Sequence, residues 1–298
     1  MSNSKSDEKE IRDRAFEKIQ TLLRGHRYSS LMFAAFDLGI LPALSRQEMT
    51  PEALCKTLSL SRRGLLQILT ALKAVELVAE EKGFFFVPDP YASCFNSDSE
   101  DYMGSLIRHE KHFTERWSRL AESVRSGKPV KNTKIKRHKT DSERFINAMA
   151  ATGQKSAGAV LQKIGLRGDE HLLDLGGGPG RYQKIFCETY LQLKVTLFDL
   201  AETIQAAQDT LKNHPRYSQM RFIPGDMLTD EIGSGYDVIL ISNVIHIYGP
   251  NEIDIILKKC YEALKPGGRL LVKDFFMRPD DKGLEFSALF SLHMLLST

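Results

Sequence analysis

The sequence predicts two regions, a mainly helical N-terminal one and an α/β one built on a parallel sheet. Three observations predict this. The chain of 298 residues exceeds the usual size of a single domain. Apolar residues recur at helical spacing from about residue 9 to 125. From residue 171 onward, short apolar strands alternate with amphipathic helices.

Composition excludes several classes of protein. Hydrophobic residues make up 42% and charged residues 27%, as in soluble globular proteins, and the charged N-terminus lacks the apolar centre of a secretory signal. We therefore expect a cytoplasmic protein with no membrane segment. The four cysteines form no CxxC pair, which argues against a disulfide framework or a structural zinc site. A net charge of +3 is too small to imply nucleic acid.

The N-terminal region reads as helices followed by a hairpin. Residues 29–44 form a continuous apolar stretch, which predicts one buried helix. Thr50 is placed to cap a second helix, and a third covers residues 59–78. Residues 75–89 alternate around Lys82-Gly83, as in a β-hairpin. The order helix, turn, helix, hairpin is that of a winged helix.

A winged helix raises the alternative of a DNA-binding regulator. The third helix offers Arg62, Arg63, Gln67 and Lys73, but the rest of its surface is aliphatic. Because this fold also serves as a dimerisation module, we favour dimerisation and disfavour binding to nucleic acid.

The α/β region follows a helical stretch over 112–128 and a basic loop. We place a winged-helix dimerisation domain at 9–125, a linker at 126–141 and the α/β domain at 142–298, which begins with a long helix to residue 164. The predicted strands are 171–175, 194–200, 220–226, 236–244 and 268–276, the last preceded by a Pro-Gly-Gly turn.

The segment LLDLGGGPGRY (172–182) predicts a strand that turns sharply into a helix. Its glycines, Gly176, Gly178 and Gly180, suit a loop that cradles a nucleotide-bearing ligand, but Arg181 stands where a dinucleotide fingerprint has its last glycine. The next strand ends in Asp199, which can accept hydrogen bonds from ribose hydroxyls.

A second acidic residue favours a ligand that contains adenine. Asp226 ends the third strand, where its carboxylate can accept from an adenine amino group. Met227 offers a polarizable contact for the purine face.

Five motifs, DLGGGPG, FDL, GDM, SNVIHIY and LKPGGRLLV, occur in this order. Together they resemble the class I S-adenosylmethionine-dependent methyltransferases, whose sheet is Rossmann-like. The winged helix, RWSRLAESVRSGKP (116–129) and NVIHIY resemble more narrowly the small-molecule O-methyltransferases of caffeate, hydroxyindole, and bacterial carotenoid and antibiotic type. The resemblance runs from about residue 20 to the end. It implies S-adenosylmethionine as cofactor, a homodimer through the N-terminal domain and a small hydroxylated aromatic or polyene substrate.

The resemblance also implies that the cofactor contacts Gly176, Asp199, Leu200, Asp226 and Met227. From the strand end and the glycine loop we add Asp174, Gly178 and Gly180 to the predicted cofactor site. Ser242 stands where the plant members have a lysine that contacts the adenosyl group.

The resemblance assigns the general base to His246, just after the fourth strand. Asp274, at the end of the fifth strand, matches the carboxylate that supports this histidine. Ile247 and Tyr248 replace the family's usual Asp and Trp. A degenerate, catalytically inactive relative remains an alternative.

For the substrate pocket we predict Trp117, Phe145, Met149 and Met294, with ordinary core packing as the alternative for each. His109 and His112 lack the HExxH spacing, so no metal is expected. The sequence ends within the helix after the fifth strand, so we expect the final helix and hairpin of a class I sheet to be missing.

Overall fold

The computed structural model describes residues 2–99, 101–130, 158, 160–276 and 284–298. The chain divides into two compact units, Met1–Lys111 and His112–Thr298. The domain limits proposed from the sequence stay predictions, since residues 131–157 lie outside the described ones. Within the described residues, no helix combines the length and the apolar character needed to cross a bilayer.

The first unit is mainly helical. Its elements are α1 (Ser2–Arg24), α2 (His26–Asp37), α3 (Ile40–Leu44), α4 (Pro51–Leu58), α5 (Arg62–Ala74), β1 (Ala79–Glu81), β2 (Phe84–Phe86) and α6 (Ala92–Phe95), and α7 (Gly104–Trp117) runs from this unit into the next. One core serves these helices, and it includes Ile40, Leu41, Leu54, Leu65, Leu69 and Leu72.

Local sequence signals place several of these elements correctly. Thr50 Oγ1 accepts the Ala53 N–H at 3.3 Å and so caps α4. The hairpin turns at Lys82 and Gly83, whose φ angles of 51° and 83° are left-handed, as a two-residue turn of type I′ requires. The predicted hairpin is therefore confirmed.

The prediction of one helix over 29–44 is wrong. The helix breaks after Asp37 and resumes at Ile40, because Gly39 adopts a left-handed φ of 77°. Its N–H then donates to the Phe36 carbonyl at 3.0 Å, which satisfies a carbonyl at the end of α2. An apolar pattern alone did not reveal this interruption.

The second unit contains the parallel sheet. Its elements are α8 (Leu120–Ser126), β3 (His171–Leu175), α9 (Arg181–Thr189), β4 (Lys194–Asp199), α10 (Ala201–Leu211), β5 (Met220–Pro224), β6 (Tyr236–Ser242), α11 (Pro250–Ala263), β7 (Leu264–Lys273) and α12 (Leu284–Ser297). Of the predicted helix over 142–164, residues 160–164 are helical, and 142–157 and 159 lie outside the described residues.

The strand order is β5-β4-β3-β6-β7, and every adjacent pair is parallel. The predicted α/β sheet is thus confirmed. The order reverses between β3 and β6, and ligands of open parallel sheets bind in the crevice at such a reversal. The loops after β3 and β6 flank this crevice.

Both faces of the sheet are covered. One set of side chains packs with α9 and includes Leu172, Val195, Val238 and Leu240, together with Phe186 of the helix. The alternate set packs with α11 and includes Leu173, Leu175, Ile239 and Ile241, together with Ile256 of the helix. Burial of each such leucine contributes about 1.5–3 kcal/mol to the free energy of unfolding. This packing on both faces holds the strands, and with them the loops at their ends, in position.

The predicted Pro-Gly-Gly turn before the last strand is wrong. β7 starts already at Leu264, which pairs with Tyr236, and Arg269 next pairs with Val238. The residues between them form an irregularity within the strand, because β6 pairs with β7 on both sides of it. Gly267 lies within this irregularity and has a left-handed φ of 80°, which glycine adopts readily.

Candidate functional site

The glycine loop after β3 is shaped by close backbone packing. Gly176, Gly178 and Gly180 have φ angles of 77°, 60° and 82°. A Cβ on Gly176 would come within 2.6 Å of Val244 Cγ2, and one on Gly180 within 2.5 Å of Leu211 Cδ1. At Gly178 a Cβ would meet no atom of the described residues within 4 Å. The loop thus requires glycine, and the described part of the chain leaves space above Gly178.

Asp199 lies directly beside this loop. Its carboxylate accepts the N–H of Gly178 at 2.9 Å and the N–H of Leu200 at 2.7 Å. Burial raises the pKa of Asp199, although the two backbone N–H groups act in the opposite direction. The remaining acceptor capacity of the carboxylate can bind hydroxyls of a ribose. The Leu200 side chain is largely exposed.

Asp226 and Met227 lie on the loop after β5. Asp226 Oδ1 accepts the Leu228 N–H at 2.8 Å, which holds the turn. Met227 is buried, and its Cε lies 3.3 Å from where a Cβ would stand on Gly176. The β5 loop and the glycine loop therefore form one continuous wall of the crevice.

A lysine from α11 secures the β5 loop. Lys259 Nζ donates to the carbonyl oxygens of Met227, Leu228 and Asp230 at 3.1, 2.8 and 2.9 Å. These contacts satisfy three carbonyls with one ammonium group. Sequence reasoning missed Lys259, and its helical spacing carries no signal for such contacts.

Asp174 lies beneath the glycine loop. Its side chain is completely buried, and Oδ2 accepts from Gln183 Nε2 at 2.8 Å. Burial raises the pKa of this carboxyl to about 7, with Gln183 opposing and Asp199 adding to the shift. Within the described part of the chain Oδ1 has no hydrogen-bond partner. Its predicted contact with a cofactor stays a prediction.

His246 follows β6 on the other side of the crevice, in a short 3₁₀ turn. Its Nδ1 lies 2.8 Å from Asp274 Oδ1, at the end of β7. Burial acts to raise the pKa of Asp274, but hydrogen bonds from His246 and the Phe275 N–H outweigh it and hold that pKa below its ordinary value. An ionised Asp274 accepts from Nδ1–H, so the lone pair of the neutral ring is on Nε2.

Aromatic rings surround His246. Phe290 meets the imidazole edge to face at 4.9 Å, and Phe275 lies 6.2 Å from it. His293, one turn beyond Phe290 on α12, stacks on Phe113 at 4.1 Å. Burial, the Arg116 guanidinium and His246 lower the pKa of His293, so its ring is neutral at physiological pH. Flat apolar molecules suit such walls.

The predicted substrate residues fall partly in this aromatic cluster. The Trp117 ring lies 6.4 Å from His293, and Met294 is the half-buried residue after it. Phe145 and Met149 lie outside the described residues. Sequence reasoning missed Phe290 and His293, which the spacing of aromatic residues along α12 could have indicated.

Family models match both parts of the chain. One described as an O-methyltransferase domain matches residues 117–298, and one described as an O-methyltransferase dimerisation domain matches residues 20–98.

Individual relatives extend this similarity to nearly the whole chain. The S-adenosyl-L-methionine-dependent methyl transferase PigF of Serratia sp. is 25% identical over 93% of this chain and 83% of the relative. The 3-hydroxy-5-methyl-1-naphthoate 3-O-methyltransferase of Streptomyces sahachiroi is 24% identical over 89% of this chain and 79% of the relative. A solved O-methyltransferase family protein of Burkholderia thailandensis superposes with a TM-score of 0.83, at 26% identity, over 95% of this chain and 86% of the other.

Proposed function

The chain belongs to the S-adenosylmethionine-dependent O-methyltransferase family, and we propose that it methylates a hydroxyl of a flat aromatic or polyene metabolite with His246 as general base. The observation that carries this proposal is the 2.8 Å contact between His246 Nδ1 and Asp274, beside the crevice and among aromatic rings.

The residues of the crevice fit the cofactor. No described residue fills the space above Gly178, Asp199 can accept from ribose hydroxyls, and Asp226 can accept from an adenine amino group. Met227 and Gly176 form the wall between them. We propose that these residues, with Gly180 and Leu200, bind the adenosyl part.

When bound, S-adenosylmethionine supplies a methyl group on a sulfonium, and its transfer forms an oxygen–carbon bond as the carbon–sulfur bond breaks. His246 Nε2 accepts the hydroxyl proton during this step. A phenol near pKa 10 and an imidazole near 6.5 differ by about 3.5 units, or about 4.8 kcal/mol against proton transfer. Asp274 lies where its negative charge can hold the His246 ring in position and stabilise the imidazolium that forms during the step.

The aromatic cluster supports the substrate class. Phe290 contacts the His246 ring, His293 stacks on Phe290 at 6.0 Å, and Trp117 lies 6.4 Å from His293. We propose that the acceptor packs against these rings, with Met294 beside them. One of the similar proteins is named for a hydroxylated naphthoate, which is flat and aromatic.

Two observations support this function over a DNA-binding regulator and over a catalytically inactive relative. On α5, Arg62 pairs with Glu52 at 3.2 Å and Lys73 pairs with Glu80, so much of the positive charge expected to meet DNA is neutralised. The His246–Asp274 pair is retained, whereas a degenerate enzyme needs neither residue. We further propose a homodimer formed by the first unit, in line with the matched dimerisation domain.

Replacing His246 with Ala tests the proposal. Methyl transfer should fall about 10²- to 10⁴-fold, because positioning of the reactants remains but proton removal does not. Activity is followed by mass spectrometry as a gain of one methyl group on a panel of hydroxylated aromatics and polyenes. The affinity for S-adenosylhomocysteine, measured by calorimetry, should be unchanged.

Two further variants sharpen this test. Asp274→Asn should also lower the rate strongly, since an amide can stabilise the wrong tautomer of His246. His26→Ala removes an exposed histidine of α2 and should leave the rate unaltered. Normal turnover by the His246→Ala variant would exclude His246 as the base.

A further inference from the structure

Lys273 is a half-buried lysine at the carboxyl end of β7. Its ammonium donates to Asn243 Oδ1 at 2.8 Å. Burial lowers the pKa of this ammonium group, and only the adjacent Asp274 acts against that shift. Among the residues that the structure describes, no carboxylate forms an ion pair with Nζ within 4.0 Å. The ammonium also lies over the Phe275 ring, 5.8 Å from its centroid. An anionic group of a ligand would give this partly desolvated cation a stronger partner than a neutral amide or ring.

Contacts with the neighbouring strand link Lys273 to the glycine loop. Asn243 has a left-handed φ of 56°, and its N–H donates to the Lys273 carbonyl at 2.8 Å. The next residue, Val244, is the one against which Gly176 packs. Lys273 Nζ is thus connected to the glycine loop through two consecutive residues of the β6 loop.

A second contact ties the same corner to the helix that follows the loop. Tyr182, the second residue of α9, has its hydroxyl 2.9 Å from Ser242 Oγ. Ser242 and Lys273 are register partners on β6 and β7. Their side chains therefore lie on the same face of the sheet, the face that α9 covers. The corner is polar, as is the buried Asp174–Gln183 pair on the same face, whereas the core residues of that face are apolar.

The chemistry of the cofactor suggests what this corner binds. In the proposed site the adenosyl part would face the carboxylates Asp199 and Asp226, which would repel another carboxylate. The amino-acid end carries a carboxylate beside an ammonium, and its carboxylate would be placed away from these two residues. We propose that Lys273 binds this carboxylate, with Asn243 holding the ammonium in position. This inference rests on the proposed cofactor site over the glycine loop.

Calorimetry with two ligands tests this assignment. S-adenosylhomocysteine has the amino-acid end, whereas 5′-methylthioadenosine has the same adenosyl thioether without it. Lys273→Met should weaken S-adenosylhomocysteine binding about 10- to 100-fold, as expected for loss of a charge-assisted hydrogen bond. Its affinity for methylthioadenosine should be unchanged, which also shows that the variant is folded.

Matched variants and a modified ligand complete the test. Lys273→Arg should restore most of the affinity, and Lys194→Met, which alters an exposed lysine at the other end of the sheet, should change neither ligand. The methyl ester of S-adenosylhomocysteine should bind the wild-type chain more weakly than the acid but bind the Lys273→Met variant equally well.

Two results would overturn the assignment of Lys273. One is undiminished binding of S-adenosylhomocysteine by Lys273→Met, and the other is an equal loss of both ligands. A wild-type chain that bound neither ligand would instead disprove the proposed cofactor site itself.

Discussion

At the scale of the residue, burial in the folded chain raises the pKa of the Asp174 carboxyl. Its pKa in the folded chain, about 7, lies above the value near 3.9 expected when unfolded. Between about pH 4 and 7 the folded chain therefore keeps a proton that the unfolded chain has lost, so stability falls as the pH rises through this window.

Asp174→Asn should remove this pH dependence, because an amide stays neutral and fits the same space. Between pH 4 and 8 the free energy of unfolding of the wild-type chain should fall by about 2–4 kcal/mol relative to the variant. Urea unfolding can be followed by the fluorescence of Trp117, the single tryptophan, which lies in the same unit.

Asp209→Asn provides the control for this experiment, because Asp209 is an exposed carboxyl on α10. It should retain the pH profile of the wild-type chain. Parallel profiles for wild type and Asp174→Asn would show that Asp174 is ionised in the folded state at neutral pH.

At the scale of the element, the β5 loop depends on α11. Asp226 and Met227, two residues of the proposed adenine site, lie on a loop whose carbonyls Lys259 binds. A loop held at three points from a helix that packs on the sheet loses little further entropy when a ligand binds. Lys259 is thus a positioning residue for the adenosyl part of the cofactor.

Lys259→Met should weaken both S-adenosylhomocysteine and methylthioadenosine by about tenfold, since its loss frees the loop and leaves three carbonyls without their donor. The neighbouring Lys258→Met is a matched control, because Lys258 is exposed and its ammonium lies 4.0 Å from the exposed Glu262 of the same helix. Calorimetry with both ligands separates this result from that expected for Lys273→Met. A loss confined to S-adenosylhomocysteine would contradict this role of Lys259.

The ends of helices and strands were predicted correctly where the sequence contains a residue suited to a helix cap or a tight turn. Thr50 and Lys82-Gly83 mark a helix start and a hairpin turn, and both are in place. The break at Gly39 and the irregularity in β7 were missed. Both depend on how the surrounding chain packs or pairs, which hydrophobic spacing does not encode.

At the scale of the whole molecule, α1 carries apolar side chains that the first unit leaves exposed. Phe16, Ile19 and Leu23 recur on one face and are 63%, 56% and 69% exposed. A helix face of this kind is stabilised by burial against a partner. The proposed homodimer would bury it, in continuity with the matched dimerisation domain.

Replacing both Ile19 and Leu23 with Glu should convert a dimer into a monomer, because two charges would be buried without partners. Light scattering after size-exclusion chromatography measures the mass directly. Thr21→Glu alters the opposite face of α1 and should leave the dimer intact. A dimeric double variant would show that this face lies outside the interface.

The sequence by itself determined the helical region, the α/β region with its five parallel strands, and the glycine loop. These follow from periodicity and from backbone angles that only glycine adopts readily. It also indicated His246, and the family resemblance pointed to Asp274. Only the tertiary structure decided that His246 and Asp274, which are 28 residues apart, meet at 2.8 Å.

Other contacts likewise became visible only in three dimensions. Lys273 reaches Asn243 because it pairs with Ser242, the residue before Asn243, and His293 stacks on Phe113 because α12 packs near the end of α7. The physical reason is that local patterns report which face of an element is buried. The neighbour met on that face depends on strand register and helix packing, which involve residues far apart in the chain.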